Sequence, residues 1–451
     1  MLFTHPHVLY NGGGHLRKAT IGQGPYQKGV LMEKEEAYGL YRYRWVVLAA
    51  FMLVGAITQI MWLNYAPITS NVEKLMHVSE FKVVLLATMF PLLYIPVSIP
   101  AGIIIDRKGF RFAVLLGAIL TAGFSFLRLF VGNYPLVLIG MIGISIGQPF
   151  VLNSITKVVA VWFPAEESAL ATGLATLSLF LGMLLVLPLT PALLGKNPTL
   201  SSLRFVVLIY SIVAVAGAVL FAIFARAKPP KPPKRLEVDL QSEEAAINWA
   251  SLGKIFSLYN FRLLCILILV GNGAFIGILQ LLEKILKPKG IGTSTAGNIG
   301  AVMVLAGVIG CVVIPSISDK MMRRKPFIIL AAAVATVSIF LIAALKGTAL
   351  IFVIGGITGF FLFAAFPLVL AFGEETTGKA LTGTATAILM LLGNAGGVVI
   401  TLIMEAIKGA TGGTSESFFW ALIFLVVMFA VGTVFAFFLR EEPGKLPTEA
   451  T

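Results

Sequence analysis

Twelve long apolar runs set the limits on what this chain can become. They cover roughly residues 44–68, 81–105, 111–131, 135–160, 167–194, 203–225, 258–286, 295–317, 326–345, 348–372, 380–407 and 417–439. Each holds about the 20 mostly apolar residues that a helix needs to cross a bilayer core. Hydrocarbon offers no water to the backbone, so each run must satisfy its own N–H and C=O groups, as a helix does. An all-α membrane protein of twelve transmembrane helices is expected. Charge content agrees: 12% of the residues are charged, against about 25% in an ordinary soluble domain.

An even number of crossings puts both termini on one side, and loop charge says which. The tail and the even-to-odd loops carry Arg42, Arg44, Arg107, Lys108, Arg111, Arg226, Lys228, Lys231, Lys320, Arg323, Arg324 and Lys325. The opposite loops hold fewer, among them Lys74, Lys82, Lys196, Lys287 and Lys289. Cytoplasmic loops collect Lys and Arg, so both termini are placed in the cytoplasm, with the plasma membrane as the expected location. The net charge of +13 is then loop bias, and no nucleic-acid partner is expected.

The chain divides in its middle. Lys228-Pro229-Pro230-Lys231-Pro232-Pro233-Lys234-Arg235 is a stiff basic tract that cannot be helical. An acidic amphipathic piece follows, in which Trp249 and Leu252 would rest on the membrane surface. The expected organisation is a cytoplasmic tail (1–43), a six-helix bundle (44–225), a cytoplasmic central loop (226–257), a second six-helix bundle (258–440) and a cytoplasmic C-terminal tail (441–451). Residues 1–31 lack the apolar core of a signal peptide. They read either as a disordered tail or as an extension ahead of an initiator at Met32. Cys265 and Cys311 fall inside apolar runs and read as small core residues. His5, His7, His15 and His77 lie in the tail or a loop. Neither a metal nor another cofactor is expected, and a monomer is.

The two halves echo each other. Gly102-Ile103-Ile104-Ile105-Asp106-Arg107-Lys108-Gly109-Phe110-Arg111 joins segments 2 and 3. Pro315-Ser316-Ile317-Ser318-Asp319-Lys320-Met321-Met322-Arg323-Arg324-Lys325 fills the corresponding gap in the second half. In both, a basic run follows an acid. The pattern resembles the G-x-x-x-D-R-x-G-R-R signature of the major facilitator superfamily, with Phe110 where a basic residue is usual and Pro315 where the glycine is expected. That resemblance implies two pseudo-symmetric six-helix halves. Gln148-Pro149-Phe150 in segment 4 and Phe366-Pro367-Leu368 in segment 10 form a second echo. Paired interruptions in matching segments point to a binding region between the halves near the midplane. Gly117, Gly123, Gly140, Gly143, Gly147, Gly393, Gly396 and Gly397 have helix-packing spacing, and Gly396-Gly397 could also loosen segment 11.

Polar groups inside the membrane are costly, so they mark function or strong pairing. The candidates are Gln59, Asn64, Gln148, Asn153, Lys157, Asn272, Gln280, Glu283, Glu374, Glu375, Asn394 and Glu405. Gln148 lies about 20 Å into segment 4. It can hold a polar ligand or bond a neighbouring helix. Trp62 stands about 26 Å beyond Trp45 along segment 1, which suits an outer aromatic belt. Flanked by Gln59 and Asn64, it also suits a ligand wall, because a tryptophan face attracts organic cations. Glu283 with Lys284 reads as a gate or as a surface ion pair, the surface pair being favoured. Glu374 and Glu375 can cap segment 11, and Asp106 can do the same for the other half, closing one conformation. Asp106, Arg107, Arg111, Asp319, Glu283 and Glu374 are therefore the gating candidates. No acid lies deep in segments 1, 4 or 5, which favours facilitated movement or ion-independent exchange over proton coupling, with Glu283 and Glu405 as the acids that could still couple.

A closer resemblance is to the feline leukaemia virus subgroup C receptor family of haem- and choline-transporter-related facilitators. It is carried over about residues 42–440 by Gln59-Ile60-Met61-Trp62-Leu63-Asn64-Tyr65-Ala66-Pro67-Ile68, Gly147-Gln148-Pro149-Phe150-Val151-Leu152, Val161-Trp162-Phe163, Asn272-Gly273-Ala274-Phe275 and Ala296-Gly297-Asn298-Ile299-Gly300. The resemblance implies that Trp62 and Gln148 line the ligand site. It also implies a tyrosine just after the helix 7 phenylalanine; Ile276 stands there instead, leaving Phe275 as the substitute. Glu283 replaces an amide usual in the family. Gln59, Asn64, Phe275 and Gln280 join Trp62 and Gln148 as substrate-binding candidates. The expected function is a transporter of a small cationic or zwitterionic, choline-like solute, and no enzyme chemistry. A proton-coupled exporter, a haem transporter and a non-transporting receptor are the alternatives.

Overall fold

The computed structural model describes residues 41–231, 233, 249–378, 381–411 and 417–441. The question of Met32, most of the acidic central stretch, the side chains of Trp249 and Leu252, and the last ten residues lie outside the described residues. Among those described, the first half comprises α1 (Arg44–Leu63), α2 (Thr69–Met76), α3 (Glu80–Ser125), α4 (Tyr134–Leu152), α5 (Ile155–Trp162), α6 (Ala165–Leu194) and α7 (Leu200–Phe224). The second comprises α8 (Trp249–Ser257), α9 (Tyr259–Leu286), α10 (Thr293–Met321), α11 (Lys325–Ala344), α12 (Thr348–Thr377), α13 (Thr382–Ala410) and α14 (Ser417–Phe437).

Eleven continuous helical stretches are long and apolar enough to span a bilayer, where twelve segments are expected. The difference lies in α3 and the 3-10 turn after it, which run unbroken from Glu80 to Leu129 over 50 residues. At about 1.5 Å per residue that is roughly 75 Å, more than twice a hydrocarbon core. The stretch breaks at Gly109, whose φ of 79° and ψ of 162° are not helical. Glycine reaches that region without a Cβ clash. The two arms of α3 are therefore segments 2 and 3, and Gly109 is the hinge of the signature loop. Segment 4 departs the other way: the helix ends at Leu152 and restarts at Ile155.

Close backbone approach holds the arms together. A Cβ on Gly117 would stand 2.5 Å from the Gly147 carbonyl, and one on Gly147 would stand 2.7 Å from that of Gly117. Gly396 packs the same way, 2.1 Å from the Leu269 carbonyl, so it serves the α9–α13 contact. A Cβ at Gly123 would meet nothing within 4 Å. The outer surface is apolar, with Ile99, Ile119, Ile223, Val312 and Val337 all exposed. Such continuous apolar cover belongs against lipid. The described residues form an all-α fold built in two helical halves.

Candidate functional site

Side chains three or four apart share one face of a helix. Gln59 and Trp62 on α1, Phe90 and Tyr94 on α3, Asn272 and Phe275 on α9, and Phe363 and Phe366 on α12 obey that spacing. All eight line one cavity of about 340 Å³ between the halves. Gln148 of α4, Phe180 of α6, Cys311 of α10 and Asn394 of α13 also line it. None of the lining residues is Asp, Glu, Lys, Arg or His. Gln148 and Phe366, each followed by the proline of its own helix, both reach it, so the paired interruptions do meet at one place.

The wall offers rings and amides. The Trp62 indole N–H is taken, donating to the Ala87 carbonyl at 3.2 Å. What remains for a ligand is the ring. Gln59 is buried, and its Oε1 accepts no hydrogen bond from a described residue. Gln148 is 5% exposed and bonds no neighbouring helix among the described residues. Its amide is left to face the cavity. Phe275 packs edge-on to Phe363 with centroids 4.2 Å apart, and Phe180 lies 5.3 Å from Phe363, so an aromatic cluster bridges the halves. Ile276, where the family resemblance implies tyrosine, also lines the cavity. Tyr94 donates its hydroxyl to Asn153 Oδ1 at 2.7 Å, and Asn153 Nδ2 donates to Ser98 Oγ at 2.9 Å. This network sits where segment 4 breaks. Tyr94, Phe180 and Phe363 were not legible as wall residues in the sequence; spacing was the available signal.

Two substrate-binding candidates lie elsewhere. Asn64 is buried at the end of α1 with both amide atoms unpartnered, two residues and so about 200° around the helix from Trp62. Gln280, five residues past Phe275, is buried beside Thr88, whose hydroxyl lies 3.2 Å from its Oε1. Gln280 belongs to a seam that joins the halves on the side away from the termini. There Ser70 donates from its backbone N–H and hydroxyl to Glu283 Oε2 at 3.2 and 2.9 Å. Lys284 pairs with Glu73 and, at 2.8 Å, with Glu80, and Lys408 also pairs with Glu80.

The surface-pair reading of Glu283 and Lys284 is corrected by this geometry. Glu283 is 2% exposed and Lys284 7%, and each bonds the opposite half. Adjacent residues on a helix do not face each other.

The remaining gating candidates lie near the termini and bond within a half. Asp106 pairs with Lys157 at 3.4 Å. Arg111 donates to the Ala222 carbonyl at 3.1 Å. Arg107 is exposed. Asp319 pairs with Arg324, which also meets Glu375 at 3.0 Å. Glu374 accepts from Thr386 at 3.2 Å, near the start of α13. A bidentate pair of Arg44 with Glu167, at 2.8 and 2.9 Å, ties α1 to α6. A small polar cleft on this side, lined by Asp106, Thr156 and Lys157, shares Asn153 with the main cavity.

Known proteins resemble the chain on both levels. The choline/ethanolamine transporter flvcr2a of Danio rerio is 26% identical over 89% of this chain and 87% of its own. The choline/ethanolamine transporter FLVCR1 of Felis catus is 28% identical over 80% of this chain and 67% of its own. In structure, a bacterial homologue of the human lysosomal transporter Spinster, inward-facing and unoccupied, superposes with a TM-score of 0.75. It is 17% identical and covers 89% of this chain and 98% of its own. The family model described as Major Facilitator Superfamily matches residues 46–401. The chain belongs to the major facilitator superfamily: it is a multi-pass membrane transporter of a small molecule, with relatives in the feline leukaemia virus subgroup C receptor family.

Proposed function

We propose that this transporter moves a small organic cation of the choline or ethanolamine class by facilitated alternating access. The observation that carries the reading is the cavity wall, apolar and rich in aromatic rings, with free amide atoms on Gln59 and Gln148 and no ionised side chain among the described lining residues. A ring face stabilises a cation by its quadrupole, most strongly where water is excluded. A glutamine amide pairs with a ligand hydroxyl. The anionic propionates of haem would find no cation there, and a proton-coupled cycle would find no carboxylate. The names of the two relatives support the same class. The seam closes the side away from the termini, so the described state opens toward the termini. On the loop-charge argument that side is the cytoplasm, the state is inward-facing, and the working unit is a monomer in the plasma membrane with its halves divided at the central loop.

The test is uptake of radiolabelled choline and ethanolamine into proteoliposomes, with and without a pH gradient. Saturable uptake of either, unchanged by the gradient, is expected. Uptake of neither would overturn the substrate class, and collapse without the gradient would overturn the facilitated mode.

A further inference from the structure

Arg128 is fully buried in the first half, in the 3-10 turn Phe126–Leu129 that ends the second arm of α3. A guanidinium stays charged in proteins and carries five N–H donors. Here Nη1 meets the Met141 thioether at 3.3 Å and Nη2 that of Met61 at 3.5 Å, both weak acceptors. Nε has no acceptor among the described residues. The guanidinium carbon lies 5.5 Å from the centroid of the Tyr65 ring, and among the described residues no carboxylate pairs with it.

The fold makes room for this charge. A Cβ on Gly140 would stand 2.7 Å from Arg128 Cγ, so α4 is bare where the arginine stem crosses it. The Tyr65 hydroxyl, on the ring that lies beside the guanidinium, is buried and unpartnered among the described residues. Tyr210, by contrast, is engaged with Thr190 at 2.7 Å. A buried cation without a counter-charge is strongly destabilising. A cation beside an unpartnered hydroxyl that can donate, and walled by methionine ends that are unbranched and adaptable, has the chemistry of an anion site.

We propose that Arg128, with the Tyr65 hydroxyl, binds one small monovalent inorganic anion of the halide class. The ion is a fixed counter-charge inside the first half, separate from the transported solute. Asn64 and Tyr65 form the corner between α1 and α2, and α2 carries Ser70 and Glu73 into the seam. Binding at this corner therefore supports the closed arrangement of that side.

The test is thermal unfolding of the purified full chain as sodium chloride replaces sodium gluconate at constant ionic strength, repeated with sodium bromide. A saturating rise in Tm on the order of 2–4 °C is expected with either halide. Arg128→Met should abolish the rise. Tyr65→Phe should raise the half-saturating chloride concentration about tenfold. Equal Tm in chloride and gluconate, or an unchanged rise in Arg128→Met, overturns the proposal. Should Arg128→Met fail to fold, radiolabelled chloride on the wild-type protein decides. Saturable binding displaced by bromide and not by gluconate supports the site, and no saturable binding removes it.

Discussion

At the scale of single residues, Trp62 and Gln148 differ in what they can still offer. The Trp62 N–H is spent on the Ala87 carbonyl, so its part in binding must come from the ring. Trp62→Ala should weaken binding of the transported cation by about 2 kcal/mol, the scale of a desolvated cation–π contact. Trp62→Phe should lose less, because a weaker aromatic face remains. Gln148 has no protein partner to lose among the described residues. Gln148→Ala should leave stability nearly unchanged and cost about 1–3 kcal/mol only for ligands with a group to pair. Calorimetric titration with choline, ethanolamine and tetramethylammonium separates the two roles, and tetramethylammonium should be blind to Gln148. Equal affinities in wild type and both alanine variants would move the site elsewhere. Both side chains were legible in sequence because an amide or an indole within an apolar run is conspicuous. Phe180 and Phe363 were not, since a phenylalanine facing lipid and one facing a cavity look alike in a run of apolar letters.

Among the elements, the seam between α2, α3, α9 and α13 is where the sequence misleads most. Four acids (Glu73, Glu80, Glu283, Glu405) and two lysines (Lys284, Lys408) gather there from segments distant in the chain. Reading Glu283 beside Lys284 as a pair follows chain order. The helix points them at different partners, and only the packing of the halves supplies those. The hinge at Gly109 was legible by contrast, because it falls in the charged stretch Asp106-Arg107-Lys108-Gly109 that separates segments 2 and 3 in the sequence. Lys284 bridges Glu73 and Glu80 while nearly buried. Removing one partner of a buried pair leaves the others uncompensated, at about 3–5 kcal/mol. Lys284→Met should therefore favour opening of this side. Spin labels replacing the exposed Lys74 and Lys287 should report a longer distance in that variant, and an unchanged distribution would show that apolar packing alone closes the seam. Gly117→Ala makes a second element-level prediction. Its added methyl meets the Gly147 carbonyl, so α3 and α4 must part, and Tm should fall by several degrees with no change in seam distance.

For the molecule as a whole, the sequence carried the fold class and the six-plus-six plan, since span length and loop charge are properties of the chain alone. It did not carry the conformation, because an alternating-access cycle uses one sequence for two packings that differ by a few kcal/mol. Here the seam ties the halves on the side away from the termini, while the strong pairs near the termini, Arg44 with Glu167 and Arg324 with Glu375, stay within a half. Cys311 can report the consequence. It lines the cavity, its thiol donating to the Phe363 carbonyl at 3.1 Å, whereas Cys265 is buried and off the wall. In a Cys265→Ala background, a membrane-impermeant thiol reagent should label Cys311 from the termini side and be slow from the other. A saturating concentration of the transported cation should protect it, because ligand and reagent compete for one cavity. Adding Lys284→Met should raise labelling from the far side, since a ligand-free protein follows whichever closure is the more stable. Fast far-side labelling without that substitution would mean the seam does not seal the cavity. Labelling indifferent to the cation would mean that the aromatic and amide wall around Cys311 is not where the cation rests.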